Sequence, residues 1–271
     1  MTGLQNLHTH TTYVDGMLSA EEMIEAALRR GCDSIGFSEH SFVSFDVDYS
    51  MSLDLTSEYA QEINMLKEKY KDTIEVFLGL EQDYHTDGPP DGLDYVIGTV
   101  HYIQKGDRYH TVDNGAKLQK HAADMYFGGD YYTMSEEFFA TTANLIEKTN
   151  ADIVGHFDLI AKYNFDGKLF DERHPRYKSA ALCAMDEILK KCRLFEVNTG
   201  AMYRYNKPEP YPSVFLLEEL YKRGGEVIIS SDSHDAKSIC YKFDDMCELL
   251  KTIGFRYIKR LTKSGFTDVK L

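Results

Sequence analysis

Short apolar and β-branched runs alternate with helical patterns along this 271-residue chain, and that alternation restricts its fold more than any other feature. The runs fall at residues 5–7, 34–37, 75–80, 95–100, 152–155, 194–197, 227–230 and 256–258. Ser19 with Glu22 three residues later has the capping-box spacing, and Met23, Ala26, Ala27 and Arg30 continue a helix from it. Further helical stretches are expected near 57–70, 135–148, 177–191, 213–223 and 244–251. Because the runs are apolar throughout, they suit strands covered on both faces, as in a parallel sheet under helices. Seven or eight such units, with no repeat or linker between them, favour one closed (β/α) barrel over residues 1–271. The polar and aromatic segment 104–132 has no clear period and is expected as an insertion over an active site.

The polar residues fall where such a barrel would use them. His8 and His10 follow the first run, Glu39 and His40 the second, Glu81 the third, His101 the fourth and His156 the fifth. Asn198 follows a later run, and Asp232 and His234 follow the seventh. Parallel strands bring these ends to one face, where barrel enzymes carry their chemistry. In His8-Thr9-His10 the two imidazoles share a side of an extended segment, because side chains two apart do. Six histidines with Asp15, Glu81 and Asp232 make nine candidate ligands and include no cysteine. Mixed nitrogen and carboxylate donors suit zinc, manganese or iron better than calcium, and the lack of thiolate argues against a closed structural zinc site. Nine groups can hold two ions with open positions, or three if Glu81 bridges. A single His-x-His or Asp-x-His is a weak signal, whereas an acid or histidine at almost every strand end is a strong one. His85, His110, His121 and His174 are expected in loops or on surfaces.

A net charge of -14 repels a nucleic-acid backbone, and also an anionic substrate unless bound cations reverse the local field. The five cysteines (Cys32, Cys183, Cys192, Cys240 and Cys247) are odd in number and form no Cys-x-x-Cys pair, so they are expected as reduced core residues. The first 13 residues lack the basic and apolar regions of a secretory signal, and no run of 18 apolar residues could span a bilayer. A cytoplasmic protein is expected, with no membrane or nucleic-acid partner.

His8-Thr9-His10, Asp15-Gly16, Ser38-Glu39-His40, Gly79-Leu80-Glu81, Thr99-Val100-His101, Gly155-His156-Phe157-Asp158 and Ser231-Asp232-Ser233-His234, in that order, resemble the polymerase-and-histidinol-phosphatase (PHP) superfamily. The resemblance spans nearly the whole chain. Within the superfamily the sequence looks most like the monofunctional histidinol-phosphate phosphatases. It shares their size, Glu196-Val197-Asn198-Thr199-Gly200 with Arg204 shortly after, and Tyr211-Pro212-Ser213 before a helix.

This likeness implies a distorted, TIM-like (β/α)7 barrel with two or three divalent ions. His8, His10, Glu81 and Asp232 would hold the first ion, Glu81, His101 and His156 the second, and Asp15, His40 and His234 the third. The implied activity is hydrolysis of L-histidinol phosphate to L-histidinol and phosphate, a step of histidine biosynthesis. Hydroxide on the metal would attack phosphorus, and Glu81, Asp232, His234 and Arg204 would serve catalysis, in a monomer or homodimer. Three divalent ions outweigh three carboxylates, which reconciles an acidic protein with a phosphate dianion. Arg204 offers a planar donor fork to the phosphate. Histidinol carries an ammonium and an imidazole, for which Glu39, Tyr13, Phe45, Tyr102, Phe157 and Tyr203 are candidate neighbours and segment 104–132 a candidate lid. Another PHP phosphoesterase, acting on phosphotyrosine, small nucleotides or oligonucleotides, remains an alternative. A metal-binding regulatory domain without activity is another.

Overall fold

Seven of the eight expected runs lie side by side in one parallel sheet in the computed structural model, which describes residues 3–271. The first half of the chain forms β1 (Leu4–Asn6), α1 (Ala20–Arg30), β2 (Cys32–Phe37), α2 (Leu53–Tyr70), β3 (Glu75–Asp83) and β4 (Tyr95–Thr99). An excursion follows: β5 (Tyr102–Lys105), β6 (Arg108–Thr111), α3 (Ala116–Phe127), α4 (Tyr131–Thr142) and α5 (Leu145–Thr149). Then come β7 (Ile153–Val154), α6 (Pro175–Leu189), β8 (Leu194–Asn198), α7 (Gly200–Tyr205), α8 (Val214–Lys222), β9 (Glu226–Ser230) and α9 (Phe243–Ile253). The chain closes with β10 (Tyr257–Thr262) and β11 (Gly265–Lys270). Sheet order is β1-β2-β3-β4-β7-β8-β9, and a parallel bridge from Thr9 to Ser233 draws the two edges together. The result is a distorted, nearly closed (β/α)7 barrel. Residues 1 and 2, which begin both the stretch read for a leader and the 1–271 unit, lie outside the described residues.

The interior is filled by large side chains from small backbones. Tyr95 on β4 is buried and its hydroxyl donates toward the carbonyls of Leu7, just past β1, and of Phe37 at the end of β2. Glycines on the two intervening strands make room for it: a Cβ on Gly79 would lie 2.2 Å from the Tyr95 ring, and one on Gly36 2.5 Å from its hydroxyl. Gly79→Ala is therefore expected to cost roughly 1–3 kcal/mol of stability through overpacking, seen as a melting temperature several degrees lower. An unchanged melt would refute this account of the barrel interior.

Segment 104–132 forms the β5–β6 hairpin, α3 and the start of α4, and part of it walls the cleft described below, as an insertion over a site would. Its period was invisible because α3 buries Gln119 beside Ala122, Ala123 and Phe127; Gln119 donates to the carbonyls of Val112 (3.0 Å) and Ile160 (2.8 Å) instead of packing as an apolar residue. Three expectations need correction. The helix expected at 57–70 starts at Leu53 behind the Ser52 cap, because exposed Leu53 and Leu55 break its apolar stripe. The run at 256–258 is no eighth barrel strand. It belongs to β10, which pairs antiparallel with β11, while Gln5 of β1 exchanges two 2.9 Å hydrogen bonds with the Leu261 backbone. Cys183 is exposed on α6, whereas the other four cysteines are buried, and none is in a disulfide.

Candidate metal centre

The strand ends converge as parallel pairing requires. β3 runs to Asp83, so Glu81 sits on the strand itself, buried in the barrel mouth. Five imidazoles surround its carboxylate. Oε1 lies 2.8 Å from His156 Nε2 and 3.2 Å from His101 Nε2; Oε2 lies 2.9 Å from His40 Nδ1, 3.3 Å from His8 Nε2 and 3.5 Å from His10 Nε2. Asp232 Oδ1 is 3.4 Å from His10 Nε2 and 3.8 Å from His8 Nε2, and Asp15 Oδ2 is 3.0 Å from His234 Nε2. Asp232 adopts a left-handed φ of 46°, which aspartate tolerates better than most residues. Gly200 packs so closely that an added Cβ would stand 2.9 Å from Asp232 Cβ.

All nine expected ligands thus share one site, in four overlapping groups whose donor atoms lie within 4.8 Å of one another: His10, Asp15, His40 and His234; His8, Glu81 and His156; His8, His10 and Asp232; and His40, Glu81 and His101. His10 lies within reach of both the Asp15 group and the His8–Asp232 group, a wider reach than one set implies. Buried ring nitrogens His8 Nε2 and both of His10, together with Glu81 Oε2, have no hydrogen-bond partner among the described residues. Leaving such groups unpaired is costly, and this set of nitrogen and carboxylate donors suits divalent cations.

Electrostatics point the same way. Burial disfavours the charged form of Glu81, yet His40, His8 and His101 outweigh it and hold the carboxyl well below its usual range. Burial likewise opposes protonation of His40, but Glu81 and Asp15 lift it to about 9. His10 is driven down to about 3 by burial and by His234 and His40, so its imidazole is neutral and free to ligate at neutral pH. Without cations the cluster balances its carboxylates with imidazolium protons, and metal uptake must displace those protons.

The site floors a cleft of about 280 Å³. Arg204 on α7 lines it, with Nη2 2.8 Å from Asp232 Oδ2 and Nη1 2.8 Å from the Asp232 carbonyl. Tyr102 also lines it, donating to Asp46 Oδ2 at 2.8 Å. Thr111, Asp113 and Asn114 of the excursion form part of its wall. Several proposed neighbours of histidinol lie elsewhere. Glu39 is buried against Thr11, whose N–H (2.7 Å) and hydroxyl (2.6 Å) donate to Oε1, and burial lifts its carboxyl to about 8. Phe157 is core, Tyr13 donates to Glu62 and Tyr203 to Asp235. Phe45 stacks on Tyr109 outside the cleft lining, with ring centroids 3.7 Å apart.

Sequence reasoning missed three groups. Asp83 Oδ2 accepts from both the backbone N–H (3.0 Å) and Nδ1 (3.1 Å) of His101; its spacing of two from Glu81 on one strand was the available signal. Glu196, inside a quoted motif, lies 2.6 Å from His8 Nδ1. Lys162, buried in the cleft wall, donates to Asp113 Oδ2 at 3.2 Å, and nothing in the sequence links that pair. Of the bland histidines, His174 caps α6 and His85 contacts the Tyr102 carbonyl at 3.1 Å.

The sequence model of the PHP domain matches residues 6–200. A Deinococcus radiodurans protein named "Probable histidinol-phosphatase" is 28% identical, over 95% of this chain and 96% of that one. The "Histidinol-phosphatase" of Lactococcus lactis subsp. lactis is 26% identical, over 92% and 90%. The crystal structure of histidinol phosphate phosphatase from Lactococcus lactis subsp. lactis, complexed with zinc, L-histidinol and phosphate, has the same fold. It matches with a TM-score of 0.73 at 22% identity, over 97% of this chain and 98% of that one. The PHP match stops at Gly200; Arg204 lies beyond it on α7, and Asp232 and His234 follow β9, the one barrel strand outside the match.

Proposed function

The chain belongs to the PHP domain family, and from that premise we propose that it is a metal-dependent phosphomonoesterase hydrolysing L-histidinol phosphate to L-histidinol and phosphate. The observation carrying the chemistry is the Glu81 carboxylate among five imidazoles, with buried ring nitrogens left unpaired at the floor of a cleft. The substrate rests on relatives that span nearly the whole chain and are named for that activity. A cleft of about 280 Å³ suits one small ester better than an oligonucleotide, in keeping with the acidic surface.

Two or three divalent ions, zinc, manganese or iron, would be held by His8, His10, Asp15, His40, Glu81, His101, His156, Asp232 and His234. When bound, such ions supply positive charge to the phosphate and a water whose pKa is brought to roughly 7. Glu81 and Asp232 hold their charge at neutral pH and so keep the imidazoles turned inward. His234 anchors Asp15 at the cleft mouth. Arg204 and Lys162 present cationic donors to the phosphate from the wall. Asp46 and Asp113 supply carboxylates to the ammonium and imidazole, with the Tyr102 ring beside them. This reading takes the enzyme as a cytoplasmic unit, monomer or homodimer, acting in histidine biosynthesis. No helix among the described residues is long and apolar enough to cross a membrane.

The test is phosphate release by chelator-stripped protein with Mn²⁺ or Zn²⁺ restored. Phosphotyrosine, a mononucleotide and a dinucleotide run beside L-histidinol phosphate. Turnover confined to L-histidinol phosphate supports the proposal; turnover of another ester keeps the chemistry and discards the substrate; no turnover leaves the regulatory reading. Arg204→Lys keeps the charge and loses the fork. It is expected to raise KM for L-histidinol phosphate roughly tenfold, the scale of one charge-assisted hydrogen bond, with metal content unchanged. A fall in metal content with KM unmoved would make Arg204 a prop for Asp232 instead.

A further inference from the structure

Glu196 is a buried carboxylate at the metal centre that no ligand set uses. It lies on β8, wholly excluded from solvent, and every direction in which its oxygens can accept is taken. Oε1 faces His8 Nδ1 at 2.6 Å and the Ser230 hydroxyl; Oε2 accepts from the His156 backbone N–H and from Asn198 Nδ2, both at 2.9 Å. With four donors on two oxygens it has no lone pair left for a cation, and none of the four candidate ligand groups includes it.

Its contacts reach two different histidines, one at the ring and one at the backbone. A carboxylate beside His8 Nδ1 keeps a proton on that nitrogen, which leaves the lone pair on Nε2. That Nε2 is one of the unpartnered atoms and points at Glu81 Oε2, 3.3 Å away. The bond to the His156 N–H does something else. β7 has two residues and meets β8 through a single register pair, Val154 with Phe195. Glu196 thus continues, by side chain, a ladder that the backbone has abandoned, and it fixes where His156 leaves the sheet. His156 Nε2 then meets Glu81 Oε1 at 2.8 Å.

We infer that Glu196 is a positioning residue for the metal centre: it selects the His8 tautomer that ligates through Nε2 and pins the His156 backbone, so both imidazoles face Glu81. The inference rests on the metal-dependent reading given above. Asp83 treats His101 in the same way, gripping both its backbone N–H and its Nδ1, so the device occurs twice in one site.

Zinc binding to the chelator-stripped full chain, followed by competition with a chromogenic chelator, separates the two ideas. Wild type is expected to bind zinc. Glu196→Gln is expected to bind it roughly 10–100-fold more weakly, because an amide can satisfy only one of the two imidazole-bearing segments and sets an N–H₂ against the other. Ring ¹⁵N shifts give a readout that a merely structural role would leave unmoved. His8 in zinc-loaded wild type should carry its proton on Nδ1, and Glu196→Gln should lose that uniform signature. If Glu196→Gln matches wild-type affinity within twofold, or if wild-type His8 carries its proton on Nε2, the role of Glu196 is overturned while the metal centre stands. If wild type binds no zinc, both fall together. The ¹⁵N measurement on wild type decides the matter even if Glu196→Gln does not fold.

Discussion

Glu81→Gln is expected to lower kcat/KM for L-histidinol phosphate at least about a thousandfold, roughly 4 kcal/mol of lost transition-state stabilisation. Glutamine has the shape of glutamate, so the β3 backbone and the packing around it can stay. Its amide has no charge, however, and offers one acceptor oxygen where the structure uses two. Oε1 and Oε2 of Glu81 serve different imidazoles, His156 and His101 on one side and His40, His8 and His10 on the other. The amide nitrogen would therefore face ring nitrogens on whichever side it took, and no carboxylate would join the two halves of the cluster. Metal content measured on the same preparation should fall by at least one ion per chain, while the circular dichroism spectrum stays that of a folded α/β protein. A variant keeping more than a tenth of wild-type turnover with full metal content would overturn the place proposed for Glu81 among the ligands.

Removal of the metals should abolish turnover and also lower the melting temperature by about 5–10 °C. Ions present at about a hundred times their dissociation constant add about 2.7 kcal/mol, and a chain of this size shifts by roughly 2–4 °C per kcal/mol. The gain comes from giving partners to buried atoms that have no hydrogen bond among the described residues: His8 Nε2, both His10 nitrogens and Glu81 Oε2. The pH dependence has a definite sign. Glu81 lifts His40 to about 9 despite burial, and Glu196, Glu81 and Asp232 likewise lift His8 above its ordinary value against the same opposition. Near pH 7 these imidazoles hold protons that an ion must displace, so affinity should weaken on acidification and each ion bound should release protons to the buffer. Titration calorimetry in two buffers of different ionisation enthalpy measures that release directly. An uptake of metal with no proton release, or a melt indifferent to chelator, would contradict the assigned ligands.

Much of this was legible in the chain. Apolar runs without alternation required strands covered on both faces, and seven of them pair as expected. The Ser19–Glu22 capping box forms as its spacing implies, because a cap is satisfied within one turn and needs no partner from afar. Eight of the nine acid and histidine positions, all but Asp15 in the loop before α1, could be named because a parallel sheet has one carboxyl edge, so a strand-end residue has one place to go. Where local pattern is weak the sequence was silent. α3 hides its buried face behind Gln119, and β7 is too short to pair by more than one residue with β8.

What the sequence determined by itself is therefore the set of groups: which strands, which candidate ligands and, through the resemblance, which chemistry to expect. Tertiary structure decided how those groups face each other. It put Glu196 behind His8 across 188 residues of chain, set Asp113 against Lys162, gave His10 a reach into two ligand groups, and turned the last expected strand away into a hairpin. The reason is physical. Strand and helix periods are set by neighbours two to four residues apart, whereas a buried ring nitrogen takes its tautomer and its partner from whichever strands closure of the barrel brings alongside.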